Sequence, residues 1–262
     1  MGILDKFKLD GKVALVTGGG QGIGRAFCLA LAEAGADIAI VDIVEETAKK
    51  VAKEVEDLGR KSIVVKTNVM DRDQIDEMVL TITEKLGKLD IAVNNAGIGL
   101  PGTAEGMTRE NWDRTLGIDL TGVFMCCQSE ALQMMAQGTK GKIINVGSIS
   151  GVVANSNIAY GVSKAGVIML TKRMAVEWGM YGINVNAISP SWCITPMTDR
   201  VPEATKQRWK ELTPMGWAET PDDLLGTLVF LASDASDYVT GQNVIVDGGH
   251  LLSVWLDKAP SK

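Results

Sequence analysis

Tyr160 and Lys164 are the residues whose types and spacing point most directly to chemistry. They stand four positions apart in a stretch with helical spacing, so their side chains share one face of a helix and can meet. A free phenol has a pKa of about 10, which is too high for a base at neutral pH. Because a nearby ammonium favours the phenolate, Lys164 can adapt Tyr160 to exchange protons with a substrate. The alternative is that Tyr160 is an amphipathic core aromatic with its hydroxyl at the surface.

A glycine-rich segment, residues 17–24, follows the first β-branched run and precedes a helical stretch. Gly18, Gly22 and Gly24 allow backbone amides to approach a pyrophosphate at a helix N-terminus, as in dinucleotide-binding folds. A nucleoside-triphosphate loop is excluded because Arg25 follows Gly24 where that loop requires lysine. A plain glycine-rich turn remains the alternative.

Asp42 ends the second predicted strand, 18 residues after Gly24, where a dinucleotide-binding fold places an acid on the ribose hydroxyls. Its carboxylate can accept a hydrogen bond from a 2′-hydroxyl and would repel a 2′-phosphate. The glycine segment contains no arginine or lysine, and the first cation after Asp42 is Lys49. The sequence therefore predicts NAD as the cofactor rather than NADP, unless Asp42 merely ends a strand in solvent.

The pattern of apolar residues predicts the fold that positions these side chains. Short β-branched runs alternate with longer stretches of helical spacing, which predicts a Rossmann-type, doubly wound α/β fold: a seven-stranded parallel sheet with helices on both faces. The predicted strands are 13–16, 38–41, 63–65, 91–93, 143–146, 183–185 and 244–246. The predicted helices are 26–34, 45–58, 71–86, 109–136, 158–181 and 222–232.

Length and charge limit the class of protein. With 262 residues and 46% hydrophobic residues, the default is a single domain over residues 1–262. A net charge of −6 disfavours nucleic acid as a partner. The start of the chain mixes charges with no apolar core, and no apolar window is long enough for a membrane helix, so we expect a cytoplasmic protein without a membrane partner.

Metal binding is not expected from the sequence. The cysteines include no Cys-x-x-Cys pair and read as small buried thiols, and the single histidine has no neighbouring ligand. The residues concerned are Cys28, Cys126, Cys127, Cys193 and His250.

Four separated motifs resemble the classical short-chain dehydrogenase/reductase family over nearly the full length. They are Thr17-Gly18-x-x-x-Gly22-x-Gly24, Asn94-Asn95-Ala96-Gly97, Tyr160-x-x-x-Lys164 and Asp247-Gly248-Gly249. Any one of them could arise by chance, whereas all four in order rarely would. The resemblance implies a hydride transfer between a nicotinamide and an alcohol or ketone.

The resemblance also implies roles for particular residues. Ser148 is expected to hold the substrate oxygen while Tyr160 exchanges the proton, and Lys164 to grip the nicotinamide ribose. Asn68 and Val69 are expected beside the adenine, and Cys193 and Thr195 at the nicotinamide amide. The remaining expected cofactor residues are Gln21, Ile23, Asn95, Ala96, Gly97 and Pro190. The alternative for Asn94 and Asn95 is that they only tie neighbouring strands together.

Two departures from the family pattern stand out. Asp119 occupies the position of a common asparagine in the helix before the fifth strand, which puts a proton relay through that position in doubt. An aspartate there can still accept hydrogen bonds from Lys164 or water. Pro190-Ser191 replaces the usual Pro-Gly after the sixth strand, so the loop must suit a residue with a Cβ.

The substrate is indicated only by class. Residues 190–217 lack regular spacing, contain Trp192 and read as a flap over the site, while Ser150 and Asn155 belong to a second loop with Ser156 and Asn157. Aromatic faces beside hydroxyl and amide groups suit a polyol, sugar or sugar acid. Residues 219–236 are similar to the gluconate dehydrogenases of the family.

Two alternative functions remain open: a reductase resembling the 3-oxoacyl-carrier-protein reductases, which commonly prefer NADP, and a non-catalytic NAD-binding regulator or scaffold. The resemblance also implies a homotetramer, with a dimer as the alternative, since two helices of this family usually form a four-helix interface. The apolar tail at residues 251–256 is a further candidate for contact with a neighbouring subunit.

Overall fold

The β-branched runs form one parallel sheet of seven strands in the order β3-β2-β1-β4-β5-β6-β7, as the sequence predicts. The computed structural model describes residues 2–255. The strands are β1 Val13–Thr17, β2 Asp37–Asp42, β3 Ser62–Lys66, β4 Ile91–Asn94, β5 Gly141–Val146, β6 Ile183–Pro190 and β7 Asn243–Val246. The order reverses between β1 and β4, so the carboxyl ends of these strands open a crevice of the kind that binds nucleotides.

Helices cover both faces of the sheet. They are α1 Gly22–Glu33, α2 Glu45–Asp57, α3 Arg72–Leu86, α4 Arg109–Leu116, α5 Val123–Gln137, α6 Ile158–Trp178, α7 Glu203–Leu212 and α8 Asp222–Ala232. On one face α1, α2 and α8 bury residues such as Phe27, Val51 and Leu228 against the strands. On the other face α3, α5 and α6 bury residues such as Met78 and Val167. The central strands β1 and β4 are therefore buried at every position rather than at alternate ones.

Local side chains fix where several helices begin. Asp71, Thr108 and Asn157 each accept a hydrogen bond from the backbone amide three residues on, at the starts of α3, α4 and α6. The Asn157 cap places Tyr160 in the first turn of α6, because Asn157 Oδ1 accepts from the Tyr160 amide at 2.9 Å.

The predicted helix 109–136 is interrupted. A π-helical turn, Gly117–Gly122, separates α4 from α5. A Cβ on Gly122 would lie 2.7 Å from the carbonyl oxygen of Val69, so the chain passes too close for a side chain at this point. Such turns are rare and often occur at functional sites.

Two other boundaries differ from the prediction. Helix α1 begins at Gly22, whereas the sequence predicts a start at residue 26. The prediction is late because glycine has a low helix propensity, yet Gly22 and Gly24 both belong to α1. Residues 190–217 are not irregular throughout, because they contain α7, which buries Trp209. No helix in residues 2–255 has the length and apolar character to cross a membrane. Leu256 of the apolar tail lies outside the described residues.

Candidate active site

A cavity of about 500 Å³ opens at the carboxyl ends of the strands, in the crevice between β1 and β4. Nearly all residues singled out in the sequence line it. They are Gly18, Gln21, Gly22, Ile23, Gly24, Asp42, Asn68, Val69, Asn95, Ala96, Gly97, Ser148, Ser150, Tyr160, Lys164, Pro190, Trp192, Cys193 and Thr195. Asn155 and Asp119 are not among the lining residues. Its walls thus bring together motifs that are far apart in the sequence.

The glycine turn allows a ligand to approach its backbone closely. Gly18 and Gly22 have φ values of 63° and 55°, which favour glycine, and a Cβ on Gly24 would collide with the carbonyl oxygen of Gly18. No side chain caps the start of α1 at Gln21, so its first amides are left for an anion. This arrangement fits a pyrophosphate.

Asn95 and Thr17 fix the glycine turn to β4. Asn95 Nδ2 donates to the carbonyl oxygens of Thr17 and Gly18 at 3.0 and 3.1 Å, and Thr17 Oγ1 accepts from the amides of Asn95 and Ala96. Asn94 lies beneath the cavity and donates to Asn145 Oδ1 at 3.1 Å. Both asparagines therefore tie strands together, and Asn95 also lines the cavity.

Asp42 stands at the end of the cavity next to the glycine turn. Its Oδ2 accepts from the Gly20 amide and its Oδ1 from the Val44 amide, both at 2.9 Å. Among the described lining residues it is the only acid, and Lys164 is the only cation. Lys66 is the neighbour of Asp42 in the register of β2 and β3, which the sequence does not indicate. Lys66 does not line the cavity.

Tyr160, Lys164 and Ser148 share the opposite end of the cavity. The Nζ of Lys164 lies 5.6 Å from the centre of the Tyr160 ring, and it donates to the carbonyl oxygen of Val146 at 2.8 Å. Ser148 Oγ accepts from the Ser150 amide at 3.1 Å. Since this bond uses only a lone pair, the Ser148 hydroxyl keeps its proton for another acceptor. The three groups can hold an oxygen atom and exchange a proton with it.

Asp119 is fully buried in the π-helical turn. Its Oδ1 accepts from the Ile98 amide at 2.8 Å, and its Oδ2 has no hydrogen-bond partner in the described part of the chain. Burial raises the pKa of Asp119 to about 6, while the Lys164 ammonium and the Ile98 amide act in the opposite direction. Asp119 thus holds the wall next to Gly97 rather than contacting Lys164 directly.

The second predicted loop contributes only in part. Ser150, Ser156 and Asn157 line the cavity, whereas the amide of Asn155 is buried without a hydrogen-bond partner among residues 2–255. The cavity also has apolar walls that the sequence analysis did not single out, at Ile98, Ile118 and Ile149. Ile98 and Ile149 lie in the segments that follow β4 and β5, whereas Ile118 belongs to the π-helical turn, which the sequence does not indicate.

A buried polar cluster lies under the site, around Glu130 of α5. Glu130 Oε2 accepts from Asn94 Nδ2 at 3.0 Å, and burial raises the pKa of Glu130 to about 8. The folded state therefore keeps a proton that the unfolded chain loses above about pH 4.5. Between these two pKa values the folded state binds one proton more than the unfolded state. The free energy of unfolding should therefore fall as the pH rises from 5 to 8, by at most about 1.4 kcal/mol per pH unit.

Glu130→Gln keeps the acceptor for Asn94 and removes the titration. We expect a weaker fall of unfolding free energy between pH 5 and 8, and a variant more stable than the wild type at pH 8. Urea unfolding at pH 5, 6, 7 and 8 measures this, with exposed Glu33→Gln as the matched control. Identical pH dependences for Glu130→Gln and the wild type would contradict the argument.

No group of three or more His, Cys, Asp or Glu side chains in residues 2–255 is placed to hold a metal ion, and the four cysteines are buried and unpaired with one another.

The fold and the site together define a class of protein, the nicotinamide-dependent oxidoreductases. The features that define it are the doubly wound sheet, the glycine turn at a helix start and the Ser, Tyr and Lys side chains in one crevice.

Comparisons with known proteins agree. A family model described as enoyl-(acyl carrier protein) reductase matches residues 18–250. The 3-oxoacyl-(acyl-carrier-protein) reductase of Thermotoga maritima is 40% identical over 246 residues, 94% of this chain and 100% of that protein. The 2-dehydro-3-deoxy-D-gluconate 5-dehydrogenase of Escherichia coli is 39% identical over 253 residues, 95% of this chain and 99% of that protein.

A solved structure is similar along its whole length. The gluconate 5-dehydrogenase of Burkholderia cenocepacia, in complex with NADP and tartrate, has a TM-score of 0.92 and 37% identity, covering 97% of this chain and 100% of that one. The chain therefore belongs to the short-chain dehydrogenase/reductase family, oxidoreductases that act on CH–OH groups.

Proposed function

We propose that the protein is an NAD-dependent dehydrogenase/reductase that interconverts a secondary alcohol and a ketone, on a polyol, sugar or sugar acid. The observation that carries the proposal is the placement of Lys164 Nζ 5.6 Å from the Tyr160 ring, with both residues and Ser148 on the wall of one cavity. A scaffold without turnover would have no need to keep this trio together.

The residues divide the proton chemistry between them. The Ser148 hydroxyl donates to the substrate oxygen and orients it. Tyr160 Oη takes the hydroxyl proton during oxidation and returns it during reduction. Lys164 donates to the Val146 carbonyl, which holds its ammonium group 5.6 Å from the centre of the Tyr160 ring. A nicotinamide ring, when bound, accepts or donates the hydride.

The cofactor is proposed to lie along the cavity from Asp42 to Lys164. The uncapped amides of α1 would hold the pyrophosphate, Asp42 the adenosine ribose, and Lys164 the nicotinamide ribose. Asn68 and Val69 would border the adenine, and Cys193 and Thr195 the nicotinamide amide. NAD is proposed over NADP because the only acid among the described lining residues stands where a 2′-phosphate would lie. Discrimination between the two cofactors therefore rests on Asp42.

The substrate class is supported by the wall around Ser148. Ser150, Ser156 and Asn157 present hydroxyl and amide groups, and Trp192 adds an aromatic face. The similarity to the gluconate-type dehydrogenase of Escherichia coli supports the same class. The 40% identity to a 3-oxoacyl-(acyl-carrier-protein) reductase keeps a 3-oxoacyl thioester as the second candidate substrate.

The proposal is tested with a panel of polyols, sugar acids and simple secondary alcohols, with NADH formation followed at 340 nm, beside acetoacetyl-thioester reduction. We expect kcat/KM to be highest for a polyhydroxylated substrate. Preference for the thioester would favour the second candidate, and tight NAD binding without turnover on the whole panel would favour a scaffold.

The homotetramer and the cytoplasmic location stay predictions. Exposed apolar side chains on neighbouring helices, Leu132 of α5 with Met169 and Val176 of α6, support self-association.

A further inference from the structure

A second, smaller cavity of about 220 Å³ adjoins the main one. It lies between α7, the segment that leads into α8 and the turn after β7. Ser191 and Trp192 line both cavities, so a single stretch of chain separates them. Nothing in the proposed hydride transfer uses this second cavity.

Its aromatic wall consists of three tryptophans. The rings of Trp192 and Trp209 stack with centres 5.1 Å apart and an angle of 9° between their planes, and Trp217 is the third member. Stacking covers one face of each of the first two rings, and Trp209 is only 6% exposed, so the half-exposed Trp217 offers the more accessible indole face. Indole faces attract cations through the ring quadrupole.

The charged residues of the described wall are all acidic. Glu219, Asp223 and Asp247 line the cavity, and its described lining contains no Lys, Arg or His. Asp223 Oδ2 accepts from the Thr220 amide and hydroxyl, and both oxygens of Asp247 accept from backbone amides. These two carboxylates are fixed in place, and their charge is not balanced by a cation in the wall.

Glu219 differs from the other two acids. Only 8% of it is exposed, and its Oε1 has no hydrogen-bond partner within residues 2–255. Its Oε2 accepts from the Ser191 amide, and its backbone oxygen accepts from the Ile194 amide at 2.8 Å. A buried acceptor without a donor costs free energy, and a ligand that supplies the missing donor or charge would recover it. Glu219 also fixes the stretch that lines the main cavity.

We propose that this second cavity is a binding site for a small organic cation of the alkylammonium type. The tryptophans supply aromatic surface, Asp223 and Asp247 supply the charge, and Glu219 adds a buried acceptor. A metal ion fits less well, since the acids do not converge into a ligand cluster within the described chain. The site is argued from its own wall and does not depend on the substrate proposed above.

Cation binding should release a proton. Burial raises the pKa of Glu219 to about 8, and the nearby charges of Asp223 and Asp247 act in the same direction. Two further titratable groups lie near these acids without lining the cavity: burial raises the pKa of the Cys193 thiol and the charge of Glu219 acts in the same direction, whereas burial lowers the pKa of His250 and the charge of Asp247 acts to raise it. A bound ammonium favours the carboxylate and lowers the pKa of Glu219. Affinity should therefore rise with pH up to about 8 and then level off.

The test uses choline as the probe and 3,3-dimethylbutan-1-ol as its neutral counterpart, on the full chain without cofactor. Tryptophan fluorescence and calorimetry give the Kd. We expect choline to bind at least tenfold more tightly than the alcohol, with net proton release at pH 7 in buffers of different ionisation enthalpy. Glu219→Gln should weaken choline binding at least tenfold and abolish the release, whereas Asp222→Asn, on an exposed neighbour, should change neither.

If Glu219→Gln fails to fold by circular dichroism, Trp217→Leu serves instead, because Trp217 is about half exposed. Equal binding of the two probes, or wild-type affinity in a folded cavity variant, overturns the proposal. Choline added to a turnover assay then distinguishes the sources of the cation. Competition with substrate indicates an ammonium group on the substrate itself, and a change in kinetics without competition indicates a separate ligand; both support the site.

Discussion

Replacing Tyr160 with phenylalanine is expected to lower kcat for alcohol oxidation by about a hundred- to ten-thousandfold, the usual contribution of a positioned proton-transfer group. The ring remains, so its packing over Lys164 and the shape of the cavity are preserved. NADH affinity, measured by fluorescence titration, should change by less than about threefold. A loss confined to kcat would place the effect in the chemical step rather than in binding.

Tyr181→Phe provides the matched control, because Tyr181 is exposed in the turn after α6 and lies away from the cavity. Its kinetics should equal those of the wild type.

Lys164→Met should combine a fall in kcat with weaker NADH binding, since the proposed role of Lys164 includes the cofactor ribose. Activity of Tyr160→Phe near the wild-type level would refute the assignment of the base.

The fold was predictable because its signals are local. Continuous apolar runs such as Val13 to Val16 need cover on both faces, which predicts the parallel sheet and its crossing helices. The crevice follows from the same pattern, since chemistry-bearing residues come directly after strands. Spacing of four along a helix was enough to bring Tyr160 and Lys164 together.

Other features depend on contacts between distant segments and were not predictable. Nothing in the sequence indicates that Glu219 accepts from the Ser191 amide, or that the Val146 carbonyl anchors Lys164. The π-helical turn at Asp119 contains Gly122, which packs closely on Val69, and a single sequence does not reveal this contact. The residue type of Asn155 suits a sugar ligand, but residue type does not determine which way a loop side chain points, and Asn155 does not line the cavity.

Asp42→Asn is expected to shift the ratio of kcat/KM for NAD over that for NADP by about tenfold to a hundredfold towards NADP. The amide oxygen can still accept from the Gly20 or Val44 amide, so the glycine turn keeps a tether while the negative charge disappears. Repulsion between a carboxylate and a phosphate about 4 Å apart is about 4 kcal/mol at an effective dielectric constant of 20. About 1.4 kcal/mol corresponds to each factor of ten, so even partial relief gives this shift.

The same substitution at the other end of β2, Asp37→Asn, is the control, because Asp37 pairs with Arg60 and does not line the cavity. It should leave the ratio unchanged. The cofactor of a relative does not decide the matter, since the gluconate 5-dehydrogenase bound to NADP shares only 37% identity with this chain. Lys66 is the one cation placed beside Asp42 by the sheet register. If wild-type protein prefers NADP and Lys66→Met abolishes that preference, Lys66 rather than Asp42 reads the ribose, and the assignment of NAD is wrong.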